Sequence, residues 1–157
     1  MKIRKARLAD ALVIADFNCR LAQETESLLL DPATVKRGVR ALLNDPAKGL
    51  YFVAVEHGVV VGQLLITYEW SDWRNGYFWW IQSVYVAQDY RRAGAFGVMF
   101  DHVQQLGKSN RAVCGLRLYV ESGNHRAQQV YERFGMSPTH YKIYETSFRR
   151  TPRLPPA

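Results

Sequence analysis

The run Tyr77-Phe78-Trp79-Trp80-Ile81-Gln82-Ser83-Val84-Tyr85-Val86 constrains the fold more than any other stretch of this chain. Its aromatic and β-branched content favours a strand, and it is far short of the roughly 20 apolar residues of a membrane helix. Apolar side chains at odd and even positions alike leave no face for water, so the run reads as a strand buried on both faces. Such a strand requires neighbouring strands at its edges and helices above and below it. A chain of 157 residues is long enough to supply them within one domain, whose usual size is about 100–150 residues.

The flanking sequence supplies the pieces. Ile3 to Arg7 is strand-like, and the apolar period after Asp10 (Leu12, Val13, Ala15, Phe17, Leu21) predicts a helix. Asp31-Pro32 opens a second helix to about Asn44, because proline suits a first helical turn. Leu50 to Glu56 and Val59 to Trp70 are β-rich runs joined by the turn His57-Gly58. A helix is expected from Gly94 to Ser109, a strand from Leu116 to Val120, a helix from Asn124 to Phe134 and a final strand from Tyr141 to Phe148. The proline-rich 151–157 reads as a flexible tail behind a domain of residues 1–150. This order predicts an α/β (α+β) chain: a mixed sheet with helices on its faces.

Composition excludes several classes. With 48% hydrophobic and 22% charged residues the chain is neither disordered nor fibrous. Cys19 and Cys114 make no disulfide framework, and no Cys/His cluster has metal-ligand spacing, so a reducing, cytoplasmic setting without a metal is expected. Both cysteines are expected to be at least partly buried. The net charge of +7 favours an anionic partner. No block of five like charges marks a nucleic-acid arm, so nucleic acid is a weak candidate and a membrane weaker.

Two local patterns carry chemistry. In Arg91-Arg92-Ala93-Gly94-Ala95-Phe96-Gly97 the glycines permit a tight turn into a helix whose first N–H groups face outward, a seat for a pyrophosphate flanked by two guanidiniums. An ordinary turn explains the same residues. Further on, Asn124, Ala127, Gln128 and Tyr131 share one helix face. Asn124 also reads as a plain N-cap, and Tyr131 as a core aromatic.

Together these patterns resemble the GCN5-related N-acetyltransferase (GNAT) family. Its pyrophosphate motif, Gln/Arg-x-x-Gly-x-Gly/Ala, is matched from Arg91 to Phe96, and its Asn-x-x-Ala-x-x-x-Tyr-x-x-x-Gly-Phe motif by Asn124, Ala127, Tyr131 and Gly135-Met136. The resemblance implies a single-domain GNAT fold: a central mixed, mostly antiparallel sheet, splayed between its central strands and flanked by about four helices. It implies acetyl-CoA as acyl donor and a primary amine as acceptor, a small polyamine- or amino-acid-like molecule first and a protein amine second. Cofactor contacts would come from Val84, Tyr85 and Val86, from Arg91 through Gly97 (Arg92, Ala93, Gly94, Ala95 and Phe96 among them), and from Asn124, Ala127 and Tyr131. Val84 would supply the oxyanion N–H and Tyr131 the proton for the departing thiolate.

Phe96 stands where the family usually has Gly or Ala, which is accommodated if its ring turns into the core. The glutamate some members carry on the central strand is absent, leaving Trp79, Trp80 and Gln82 there. Candidate acceptor-side residues are Glu24, Glu69, Trp70 and Gln82, with Glu26 and Asp72 as further carboxylates and Trp73, Tyr77, Trp79 and Trp80 as a potential aromatic pocket. A non-catalytic acyl-CoA-binding regulator on the same fold is the alternative, and a homodimer is compatible with either.

Overall fold

A computed structural model describes residues 1–91 and 93–149. The elements are β1 (Lys2–Lys5), α1 (Ala11–Glu26), α2 (Pro32–Leu43), β2 (Leu50–Glu56), β3 (Val59–Ser71), β4 (Gly76–Val86), α3 (Ala95–Ser109), β5 (Val113–Arg117) and α4 (His125–Arg133). The chain forms two compact units, Met1–Arg117 and the stretch that begins at Leu118.

In the first unit five strands lie in the order β1-β2-β3-β4-β5. The first three pairings are antiparallel and β4–β5 is parallel. Alternation along β2 explains how both faces are filled. Tyr51 and Val53 join Ala11, Ile14, Ala15, Val39 and Leu65 under α1 and α2. Phe52, between them, points the other way, its ring 5.2 Å from that of His102 on α3. Helix starts follow local chemistry: Asp31 caps α2, its carboxylate accepting from Thr34 N at 2.9 Å ahead of Pro32.

Two features of β4 matter for function. Its register with β3 passes from Leu65↔Gln82 to Gln63↔Tyr85, so Ser83 and Val84 together oppose Leu64, a bulge with Ser83 at φ 48°. The ladder with β5 ends at Trp80↔Arg117, so Ile81 to Val86 run on without a β5 partner. The β4–β5 pairing therefore stops at Trp80, where β5 ends. Burial on β4 is only partial along Phe78 to Trp80, less than its uninterrupted apolar pattern predicts.

Three sequence expectations need correction. The strand expected at 116–120 lies earlier, at Val113–Arg117, because Val113 registers with Tyr77 and Tyr77 N donates to Ala112 O at 2.7 Å. Residues 141–148 form no strand: side-chain propensity is present, but among the described residues no ladder partner is, and Tyr144 and Phe148 stand 92% and 95% exposed. Cys114 is exposed on β5, whereas Cys19 is partly buried and its thiol is pushed up by burial and by Asp16 and Asp31. The 151–157 tail lies outside the described residues. Among the described residues no helix is long and apolar enough to cross a membrane.

Asp10 clamps the entry to α1. Its carboxylate accepts from both terminal nitrogens of Arg4, at 2.7 and 2.9 Å, and from Arg7 N at 2.7 Å. The Arg4 hydrogen bonds hold this carboxyl below the usual range, outweighing the opposing effect of burial. A depressed folded pKa gives stability that is complete above the unfolded value of about 3.9 and is lost as pH falls through the folded one. Asp10→Asn is expected to lose about 1–3 kcal/mol at pH 7 in urea unfolding, and the gap to the parent should narrow towards pH 2. A gap unchanged by pH would show that the ionised carboxylate is not the stabilising species.

Candidate active site

The open edge of β4 leads directly into an anion-favouring turn. After a single turn at Gln88–Tyr90, Gly94 adopts φ 76° as the N-cap of α3, a conformation that favours glycine. The first intrahelical bond runs from Val98 N to Gly94 O at 3.1 Å. The N–H groups of Ala95 and Gly97 precede it, among the orphan donors of a helix start. The half-buried Phe96 ring lies 5.7 Å from that of Phe100, one helical turn on, and Phe100 is fully buried. Ala93 N is bonded back to Tyr90 O. Arg92 lies outside the described residues.

Arg91 is already engaged. Its Nε donates to Val86 O at 2.9 Å, its terminal nitrogen pairs with Glu24, and its guanidinium lies 5.3 Å over the Tyr85 ring. The Tyr85 hydroxyl donates to the same Glu24 carboxylate at 2.9 Å. This cluster ties the last turn of α1 to the end of β4. Burial pushes the Glu24 carboxyl up, but Arg91 and Tyr85 outweigh it and leave it below the usual range. Glu24 is thus a held carboxylate and a weak proton acceptor.

On the sheet face that also carries Leu65 lies a second group. Gln82 Nε2 donates to Thr67 Oγ1 at 2.6 Å. Glu69 accepts from Arg117 at 3.0 and 3.2 Å and from the Trp80 indole, and Arg117 stacks 3.6 Å over the Phe78 ring. Glu69 and Gln82 therefore share a face, with Trp80 between them in register. Trp70 does not join them: it pairs with Tyr77, ring centroids 4.9 Å apart, and is 52% exposed. Strand alternation divides the expected aromatic pocket, placing Trp70, Tyr77 and Trp79 on one face and Phe78 and Trp80 on the other. Trp73 and Asp72 stand in the exposed β3–β4 turn, where Asp72 accepts from Trp73 N.

A pocket of about 450 Å³ opens between α1 and α2 above β2 and β4. Asn18, Tyr51 and Ser83 form its polar side. Asn18 Nδ2 donates to the Tyr51 hydroxyl at 3.0 Å, and Asn18 Oδ1 accepts from the fully buried Gln63 at 2.6 Å. Gln63 also donates to Ser83 O at 3.2 Å, which holds the bulge. Burial pushes the Tyr51 hydroxyl up, against its bonds with Asn18 and Ser83. Sequence reasoning missed this network. Its signals were Asn18 within the apolar stripe of α1 and Gln63 as the lone polar side chain in Val60 to Ile66. Among the described residues no group of His, Cys, Asp and Glu is arranged to hold a metal.

In the second unit, Asn124 caps α4, its Oδ1 accepting from Ala127 N at 3.1 Å. Gln128 Nε2 donates to the carbonyls of Glu121 and Ser122 at 3.1 and 2.9 Å. Gly135, at φ 81°, ends the helix in a Schellman arrangement: Met136 N to Tyr131 O at 3.1 Å and Gly135 N to Glu132 O at 2.9 Å. Tyr131 is half-buried, and burial raises its hydroxyl above the ordinary tyrosine value.

Comparison with known proteins bears on these observations. Residues 16–136 match the profile described as the acetyltransferase (GNAT) family. The solved structure of a possible acetyltransferase from Clostridium difficile 630 is 45% identical, with TM-score 0.89 over 95% of this chain and 98% of that one. Two more distant structures share the fold. One is a ribosomal-protein-alanine N-acetyltransferase from Brucella melitensis biovar Abortus 2308, at 20% identity and TM-score 0.75 over 94% and 99% of the two chains. The other is a "predicted acetyltransferase with acetyl-CoA" from Clostridium acetobutylicum, at 17% identity and TM-score 0.75 over 92% and 95%. No curated protein matches the chain.

Proposed function

Because the chain belongs to the acetyltransferase (GNAT) family, we propose that it transfers the acetyl group of acetyl-CoA to the primary amine of a small acceptor, in a complex holding both. The observation that carries this reading is the open β4 edge running into the α3 N-terminus, which offers an extended pairing surface followed by helix N–H groups. The pantetheine arm adds to β4 along Val84, Tyr85 and Val86 as an extra strand would. The pyrophosphate then takes N–H groups of the first turn of α3, those of Ala95 and Gly97 among them, where the helix dipole favours negative charge.

The amine nitrogen attacks the thioester carbonyl carbon, and the oxyanion that forms is stabilised by Val84 N–H at the bulge. As the C–S bond breaks, Tyr131 gives its proton to the sulfur, and the surplus proton of the new amide passes through water to restore the Tyr131 hydroxyl. Asn124 and Ala127 line the cofactor arm in this reading. Arg91 acts first as the brace between α1 and β4 and adds positive charge beside the phosphates.

A thermal-shift series with acetyl-CoA, CoA, ATP and duplex DNA tests the donor. At about 100 times its dissociation constant, acetyl-CoA should raise Tm by about 5–10 °C, and ATP and DNA should not. CoA thiol release with an amine panel then tests the transfer. Stabilisation by acetyl-CoA without acetylation of any amine would favour the non-catalytic regulator, and a flat acetyl-CoA trace would remove both readings.

A further inference from the structure

The pocket between α1 and α2 has the chemistry of a side-chain receptor. Leu21, Leu28, Leu30, Val35, Val39 and Leu42 supply its walls. Asn18, Tyr51 and Ser83 supply neutral polar groups on one side. Glu26 is its sole carboxylate and is exposed. A polyamine needs an acidic partner for each ammonium group, or it pays the cost of an unpaired buried charge. A volume of about 450 Å³ falls in the range of small-molecule sites, about 300–1,000 Å³. Ser83 lines the pocket and directly precedes Val84, so its polar end adjoins the bulge at which transfer is placed.

We propose that the acceptor is a primary amine with an apolar, branched or aromatic side chain, and that this side chain occupies the α1–α2 pocket. The inference rests on the acetyltransferase reading and specifies its acceptor. The amino group stays at the Ser83 end, near the thioester, while the hydrocarbon part lies among the leucines and valines. Each methylene added to the acceptor then raises kcat/KM by about fourfold until the pocket is filled.

Two substitutions fill the pocket from opposite sides. A Cβ at Gly38 in α2 meets nothing within 4 Å, so the first carbon of Gly38→Phe has room, and the substitution removes a helix-weakening glycine. Ala22→Phe adds a ring to the pocket wall from α1. The acetyl-CoA thermal shift serves as the control for folding and for the donor site. Probes are isoamylamine and 2-phenylethylamine against ethanolamine and spermidine, followed by CoA release and by direct titration of each amine.

The parent should prefer the two apolar amines. At least one filled variant should raise their KM about tenfold or more and weaken their titration, with the acetyl-CoA shift retained. Preference for ethanolamine or spermidine would overturn the acceptor class while leaving the transferase reading intact. Unchanged KM for the apolar amines in both folded variants would overturn the pocket assignment. If no amine turns over, loss of 2-phenylethylamine titration in the variants still supports the pocket, and the failure then belongs to the transfer reading. Absence of such titration in the parent would overturn the pocket as well.

Discussion

Tyr131→Phe should retain the acetyl-CoA thermal shift and lose at least about 10²-fold in kcat, the usual scale of a positioned general acid. The substitution removes one hydroxyl and keeps the ring, so the packing of α4 is preserved. Asn124 still caps that helix, and Gly135 still closes it. The sign of the pH dependence follows from the burial that raises the Tyr131 hydroxyl above the ordinary value of about 10. Across the neutral and mildly alkaline range the hydroxyl therefore remains protonated and able to donate. The parent kcat/KM should rise with pH as the acceptor ammonium loses its proton, and should not turn down before about pH 10. In the phenylalanine variant the loss in kcat should persist at every pH below that limit. An unchanged kcat would take Tyr131 out of the reaction and leave leaving-group protonation to water.

What could be read from the sequence was local. Pro32 after Asp31, Asn124 at a helix start and Gly135 at its end each act through neighbours a few residues away, and each has the expected role. The order of elements as far as α4 and the mixed sheet followed from periodicity in the same way. Pairwise geometry was not legible. The β4 bulge depends on Gln63 reaching Ser83 across the sheet, and the hold on Arg91 comes from Glu24, which lies 67 positions earlier. The acceptor-side aromatics were a single cluster in sequence, but alternation sent neighbours to opposite faces. Residues 141–148 illustrate the converse limit: β propensity describes side chains, whereas a strand exists only through a partner's backbone.

Gly49→Ala should have the largest effect of any single-methyl substitution on stability, about 2–4 kcal/mol in urea unfolding and a fall in Tm of about 5–12 °C. Gly49 joins the α2 end of the chain to β2 at φ 151°, where L side chains rarely go. A Cβ there would sit 2.5 Å from Ile66 O, 3.2 Å from a Leu65 methyl and 3.3 Å from a Leu42 methyl. The methyl groups can yield by turning their side chains, but Ile66 O belongs to the backbone of a central strand. Ile66 is fully buried and registers with Leu50, the next residue after Gly49, so relief requires opening the first rung of the β2–β3 ladder. Gly38→Ala supplies the contrast. Its Cβ enters open space in the middle of α2, and the substitution should be neutral or stabilising by up to about 1 kcal/mol. Equal effects at the two glycines would mean that the loss reflects glycine content alone, and that the close approach of Gly49 to β3 carries none of it.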